Sequence, residues 1–194
     1  MEIIPLIMMK KRKMFGNLSK KEIFEIIPEG QLIYILDLDG IDNDKPNLCT
    51  FQKSSRDYQL WVDFGPRNLG DMVDVFMAGV ERATIRPNLW PNLNIAEIRD
   101  ISDNKIYIHI DIKKDHSTKE VFDYGPDGLV TLDGKGVIEN NFKYSDYLRQ
   151  YGLKKELYSY ENDPKNIKYW KALGVKTLLV DVDKYMDFKK WIQK

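Results

Sequence analysis

The stretch QLWVDFGPRNLGDMVDVFMAGVERATI, residues 59–85, contains the unit on which the fold turns. It opens with an apolar, aromatic and β-branched run (59–64) that stops at Gly65-Pro66. A helical stretch follows, from about Leu69 to Ala78, and Gly79 ends it, because glycine takes the left-handed backbone of a helix C-terminus without strain. A new apolar run starts at once (81–85). Strand, helix, glycine and strand in that order is how parallel βα units are joined.

The same order recurs on both sides of this unit. Upstream, a first strand covers residues 3–8, followed by a helix with Ser19 as N-cap and Glu22 as its capping-box partner. A second strand covers 32–38. Residues 42–57 contain Pro46 and little helical periodicity, so the helix there is short or absent. Downstream, a helix is expected near 95–101 and strands at 106–110, 128–132, 155–160 and 176–182. Helices near 144–151 and 164–173 are each stopped by a glycine, Gly152 and Gly174, and 185–192 closes the chain. Eight alternating strands favour a closed barrel over an open doubly wound sheet. The expected fold class is therefore α/β, a compact, trimmed (β/α)8 TIM-type barrel forming one domain over residues 1–194. Such barrels usually run to about 250 residues, so 194 implies trimmed loops and at least one lost helix.

Composition narrows the function classes. Thirty Lys+Arg balance 30 Asp+Glu, which leaves no net field to attract nucleic acid or an anionic membrane. One cysteine, Cys49, excludes internal disulfides and cysteine-rich zinc sites and points to the cytoplasm. No apolar run reaches the ~18 residues of a membrane span. The basic cluster Lys10–Lys13 follows the apolar N-terminus instead of preceding it, the reverse of a secretory signal. Trp61, Trp170 and Trp191 are expected in packing, and His116 has no evident partner. No P-loop, GxGxxG, HExxH or GxSxG motif occurs.

In a βα barrel the C-terminal strand ends form the mouth where ligands bind. Here they carry carboxylates: Asp37 and Asp39, Asp63, Asp111, Asp133, and Asp181 and Asp183. His109 lies two residues before Asp111, on the same strand face and one layer deeper. Aspartate also starts turns and caps helices, which is the simpler account of any single one. As a set, converging carboxylates raise one another's pKa unless cations intervene. Arg67 and Arg86 are candidates for that role, as is a divalent cation. The expected mouth therefore prefers a cation or an amine-bearing small molecule and disfavours phosphate.

The residues also carry a resemblance. Ile33-Tyr34-Ile35-Leu36-Asp37-Leu38-Asp39-Gly40-Ile41 resembles the second strand of the histidine-biosynthesis isomerase and cyclase barrels (the HisA/HisF-like superfamily), closest to their archaeal relatives. Trp61-Val62-Asp63-Phe64-Gly65-Pro66-Arg67-Asn68 is similar to the third-strand turn of that family, and Ile106-Tyr107-Ile108-His109-Ile110-Asp111-Ile112-Lys113 to its fifth strand. Glu2-Ile3-Ile4-Pro5-Leu6-Ile7 resembles its opening, and Gly128-Leu129-Val130-Thr131-Leu132-Asp133 its sixth strand. The resemblance implies an acid/base pair at the ends of strands one and five. Asp111 fits the second position, while the first falls on Met8, which transfers no proton. The family's glycine-rich phosphate loops are replaced by Arg86-Pro87-Asn88 and Tyr158-Ser159-Tyr160-Glu161-Asn162, and Asp181 and Asp183 would repel phosphate.

Two expectations follow. One is an isomerase- or lyase-type proton-transfer enzyme acting on a small metabolite in archaeal biosynthesis, with the ancestral ribotide isomerisation lost. Asp111 would be its acid/base, aided by Asp37 or His109, and Asp39, Asp63, Arg67, Arg86, Asp133 and Asp181 would line its ligand site. The other is a non-catalytic barrel that binds a ligand or a partner. The oligomeric state is open in both.

Overall fold

The computed structural model describes residues 1–11, 13–15, 20–111, 122–133 and 145–193. The apolar runs become strands β1 (Glu2–Lys10), β3 (Leu32–Asp37), β4 (Gln59–Asp63), β5 (Arg82–Ile85), β6 (Lys105–His109), β7 (Gly128–Thr131), β8 (Glu156–Tyr160) and β9 (Thr177–Asp181). All eight are parallel to their neighbours, and β9 returns to β1 from Glu2↔Thr177 to Leu6↔Asp181. That pairing closes the sheet into an α/β barrel and excludes the open sheet. β1 outruns β9, and a short antiparallel strand, β2 (Lys13–Phe15), covers the uncovered edge at Met8–Lys10.

Eight helices are described: α1 (Lys20–Ile26), α2 (Leu38–Asn43), α3 (Leu48–Ser54), α4 (Leu69–Met77), α5 (Ile95–Ile101), α6 (Ser145–Lys154), α7 (Ile167–Ala172) and α8 (Tyr185–Ile192). Two differ from the sequence expectation. The connection from β3 to β4 contains two short helices, α2 and α3, where one short or missing helix was expected. Gly152 does not stop α6, which runs through it to Lys154; Gly79 and Gly174 have the left-handed φ of +86° and +84°, and Gly152 does not. Ser19 and His116 lie outside the described residues. Among the described residues no helix is long and apolar enough to cross a membrane.

Alternation along the strands divides the apolar residues into two clusters. Ile33, Ile35, Leu60, Val62, Ile106, Ile108, Leu178 and Val180 face the helices, where Trp170 and Phe188 are also buried. Ile4, Leu6, Tyr34, Leu36, Trp61, Tyr107, Val130, Tyr158 and Leu179 fill the lumen. Trp61 is the hub of the second cluster. Its ring lies 5.1 Å from Tyr34, 4.1 Å from Tyr107 and 4.7 Å from Tyr158, and its Nε1–H donates to Thr84 Oγ1 at 2.8 Å. Trp191, expected in packing, is 43% exposed.

An aromatic lumen predicts a steep dependence on its hub. Trp61→Ala is expected to destabilise the fold by roughly 3–5 kcal/mol, and Trp61→Phe by less. Urea titration followed by circular dichroism measures both.

Candidate functional site

At the C-terminal mouth the chain turns from β3 into α2 with no residue between them. Asp37 is at once the last residue of the strand and the N-cap of the helix. Its register partner is Met9, which faces the helix layer, so the Asp37 side chain points away from the lumen. There it accepts hydrogen bonds from the Asp39 and Gly40 backbones at 3.2 and 3.4 Å and from Asn47 N and Nδ2 at 2.8 and 2.7 Å. Burial pushes the Asp37 carboxyl pKa up against the opposing pull of these donors. The carboxylate expected to assist chemistry at the mouth is thus a buried cap.

This tight turn lays α2 over the barrel. Leu38 and Ile41, three apart on one helical face, pack against the lumen cluster. Arg67, expected to face a ligand, holds the helix down instead. Its Nη1 donates to Gly40 O at 3.2 Å, Gly65 O at 2.6 Å and Asp44 Oδ1 at 3.0 Å, and its Nη2 donates to Ile41 O at 3.0 Å. Carbonyls at a helix C-terminus want such donors, and a guanidinium supplies several at once.

Arg86 and Asp63 form the other fixed element of the mouth. Asp63 is fully buried and takes Arg86 Nε at 2.9 Å and Nη2 at 2.7 Å, a forked pair. The Tyr34 hydroxyl donates to the same carboxylate at 3.3 Å. Burial works against the Arg86 charge, yet Asp63 outweighs it and raises the guanidinium above its ordinary value. Asp42 of α2 contributes to that rise and lies 3.7 Å from Lys10 Nζ. Lys10, Asp42, Arg86 and Asp63 therefore alternate in sign from β1 to β4.

His109 is the remaining group with chemical potential. It projects into the mouth from the last position of β6, and its pKa is lowered to about 4 by burial and by the Arg86 charge, while Asp63, Asp111 and Asp133 pull the other way. The imidazole is neutral at pH 7. Asp63, Arg86, His109, Asp111 and Asp133 thus share one electrostatic neighbourhood. Asp181 stands apart, accepting from Tyr160 Oη at 2.7 Å and Asn162 Nδ2 at 2.6 Å. Asp39 lies on α2, where strand alternation no longer applies, and accepts from Lys11 N at 2.8 Å and Asn47 Nδ2 at 3.1 Å. Asp63, Asp111 and Asp133 act together on His109, whereas Asp37 faces away from the lumen and Asp39 and Asp181 are held by donors of their own. Among the described residues, no three His, Cys, Asp or Glu side chains gather so as to hold a metal ion.

Sequence reasoning missed Asp42, Asn47 and Asn162; the Lys10–Lys13 run reads as a solvated loop able to contact an anion at the mouth, and Lys10 instead pairs with Asp42. Leu38 and Ile41 were the available signal: two apolar residues three apart, directly after a strand that ends in a capping aspartate. The chain matches no protein-family model, and no curated protein matches it.

Two measurements check this geometry. A Cβ at Gly40 would lie 2.3 Å from the Phe64 carbonyl oxygen, so Gly40→Ala is expected to lift α2 and to destabilise the fold by about 2 kcal/mol or more. Hydrogen exchange over residues 38–44 should rise with it. For His109 the folded pKa lies below the unfolded value near 6.5, so the unfolded chain binds the extra proton. Stability from this group is complete above about pH 6.5 and falls as pH drops towards 4, by at most roughly 3 kcal/mol. His109→Gln should flatten that part of the stability–pH curve.

Proposed function

We propose that this chain is a TIM-type barrel related to the histidine-biosynthesis isomerase and cyclase barrels, and that it is a non-catalytic member that binds a ligand or partner. One observation carries this reading: α2 lies across the mouth with Leu38 and Ile41 on the lumen cluster, held there by Asp37 and Arg67. The groups that a mouth would offer a substrate are engaged within the chain. Asp63 is neutralised by Arg86, and Asp181 is held by Tyr160 and Asn162. Met8, at the position where the resemblance implies an acid, packs against the lumen cluster beside Leu36.

A second reading, proton transfer on a small metabolite, draws on His109. Its neutral imidazole stands in the same electrostatic neighbourhood as Asp111 and Asp133, and a neutral base next to a carboxylate is a competent acid–base arrangement. In this reading Asp111 is the acid/base and His109 its aid.

Genetics tests the loss of the ancestral isomerisation, which both readings share. Complementation of a histidine auxotroph lacking the isomerase is expected to fail, because losing one member of an acid/base pair costs ~10²–10⁴ in rate. Met8→Asp alone should not rescue it, since the phosphate loops are replaced as well. Growth that disappears on Asp111→Asn would overturn the non-catalytic reading and favour proton transfer.

A further inference from the structure

On α2, Leu38 and Ile41 face the lumen, while Asp39 and Asn43, four apart, share a different face. That second face lines a cleft of about 760 Å³ between the β1–β2 turn and the α2–α3 connection. The volume is within the range of small-molecule sites, about 300–1,000 Å³. Lys11 enters from the first wall and Lys45 from the second.

Asp39 fixes both lysine-bearing turns. Its carboxylate accepts the Lys11 backbone N–H at 2.8 Å, and its carbonyl accepts the Lys45 N–H at 3.2 Å. Both turns are strained. Among the described residues, Lys11 at φ 52° and Asp44, next to Lys45, at φ 56° are the two non-glycine residues in the left-handed region. Strain of this kind persists where the surroundings over-determine the backbone, and it collects at ligand sites. Lys10 is paired with Asp42, but neither the Lys11 nor the Lys45 ammonium is in an ion pair among the described residues. Among the described residues Asp39 is the one carboxylate lining the cleft, and its oxygens already accept from Lys11 N and from Asn47 Nδ2 at 3.1 Å. The described lining therefore carries an excess of positive charge in a chain with no net charge.

We propose that this cleft binds a small-molecule anion, with a carboxylate or phosphate between the Lys11 and Lys45 ammonium groups and an apolar part against Pro46 and Leu48. The site is independent of whether the mouth is catalytic, because it uses the opposite face of α2. Asp39, expected to contact a ligand, becomes the residue that positions the two lysines.

Cys49, the only cysteine in the chain, is exposed on the same wall, so its labelling reports on the cleft. The full chain and the Lys11→Gln/Lys45→Gln double variant are treated with the dianionic disulfide dithiobis(nitrobenzoate) and with neutral iodoacetamide. The double variant should react at least about threefold more slowly with the dianionic reagent, as loss of local steering implies, and at an unchanged rate with iodoacetamide. At constant ionic strength, pyrophosphate or citrate should protect Cys49 of the parent chain from iodoacetamide and should not protect the double variant. The stronger protector identifies the head group. An unchanged rate with the dianionic reagent, absence of protection by both anions, or protection that survives the double substitution would overturn the proposal. None of these readouts involves Asp111 or His109, so their outcome is separate from the complementation result.

Discussion

Asp37 ends a buried strand and begins a helix, and the arrangement of the whole mouth depends on that double role. A carboxylate in a buried position is tolerated only when its lone pairs are filled. Here four donors fill them, three from backbone and one from the Asn47 amide. Two come from the first turn of α2, and two come from the residue that precedes α3. A single side chain thereby fixes where the strand stops, which way the helix leaves, and where the second helix starts. Because no loop residue intervenes, α2 cannot swing clear of the barrel and lies over its open end.

Other contacts follow from that placement. With α2 over the mouth, the carbonyls at its C-terminal end are near the β4–α4 turn, and Arg67 reaches them. The closeness of this packing leaves room only for glycine at residue 40, against the Phe64 backbone. Beneath α2, Arg86 and Asp63 satisfy one another at the top of an aromatic lumen. A buried ion pair of this kind contributes little net stability, but removing either partner leaves an uncompensated charge. Its value is in orientation: the forked geometry fixes the Arg86 guanidinium on Asp63, and its charge helps keep the His109 imidazole neutral. On the far face of α2, the backbone of Asp39 and its side chain hold Lys11 and Lys45 towards a common cleft. One short helix thus separates the aromatic lumen from an open cleft whose Lys11 and Lys45 form no ion pair among the described residues.

The barrel was legible in the chain because its determinants are local. Alternating apolar residues give strands, Gly79 and Gly174 end helices at left-handed φ, and repeated βα units have few ways to close. Boundaries moved by one or two residues, as at Asp37 and Leu38, where strand and helix meet without punctuation. Gly152 misled because a glycine ends a helix only where it takes the left-handed φ, as Gly79 and Gly174 do, and Gly152 stays helical within α6.

Local pattern in the chain was enough for eight parallel strands and for aspartates at or just beyond their C-terminal ends; the shared strand face expected of His109 and Asp111 does not apply, because β6 stops at His109. What each aspartate does was set by packing between distant parts of the chain. Asp37 faces outward as a cap, Asp63 is closed by an arginine 23 residues away, and Asp39 holds two turns together. The physical reason is that a carboxylate's role depends on which donors surround it. Those donors come from residues distant in the chain, such as Lys11, Asn47, Arg86 and Asn162, which barrel closure and the seating of α2 bring within hydrogen-bonding distance.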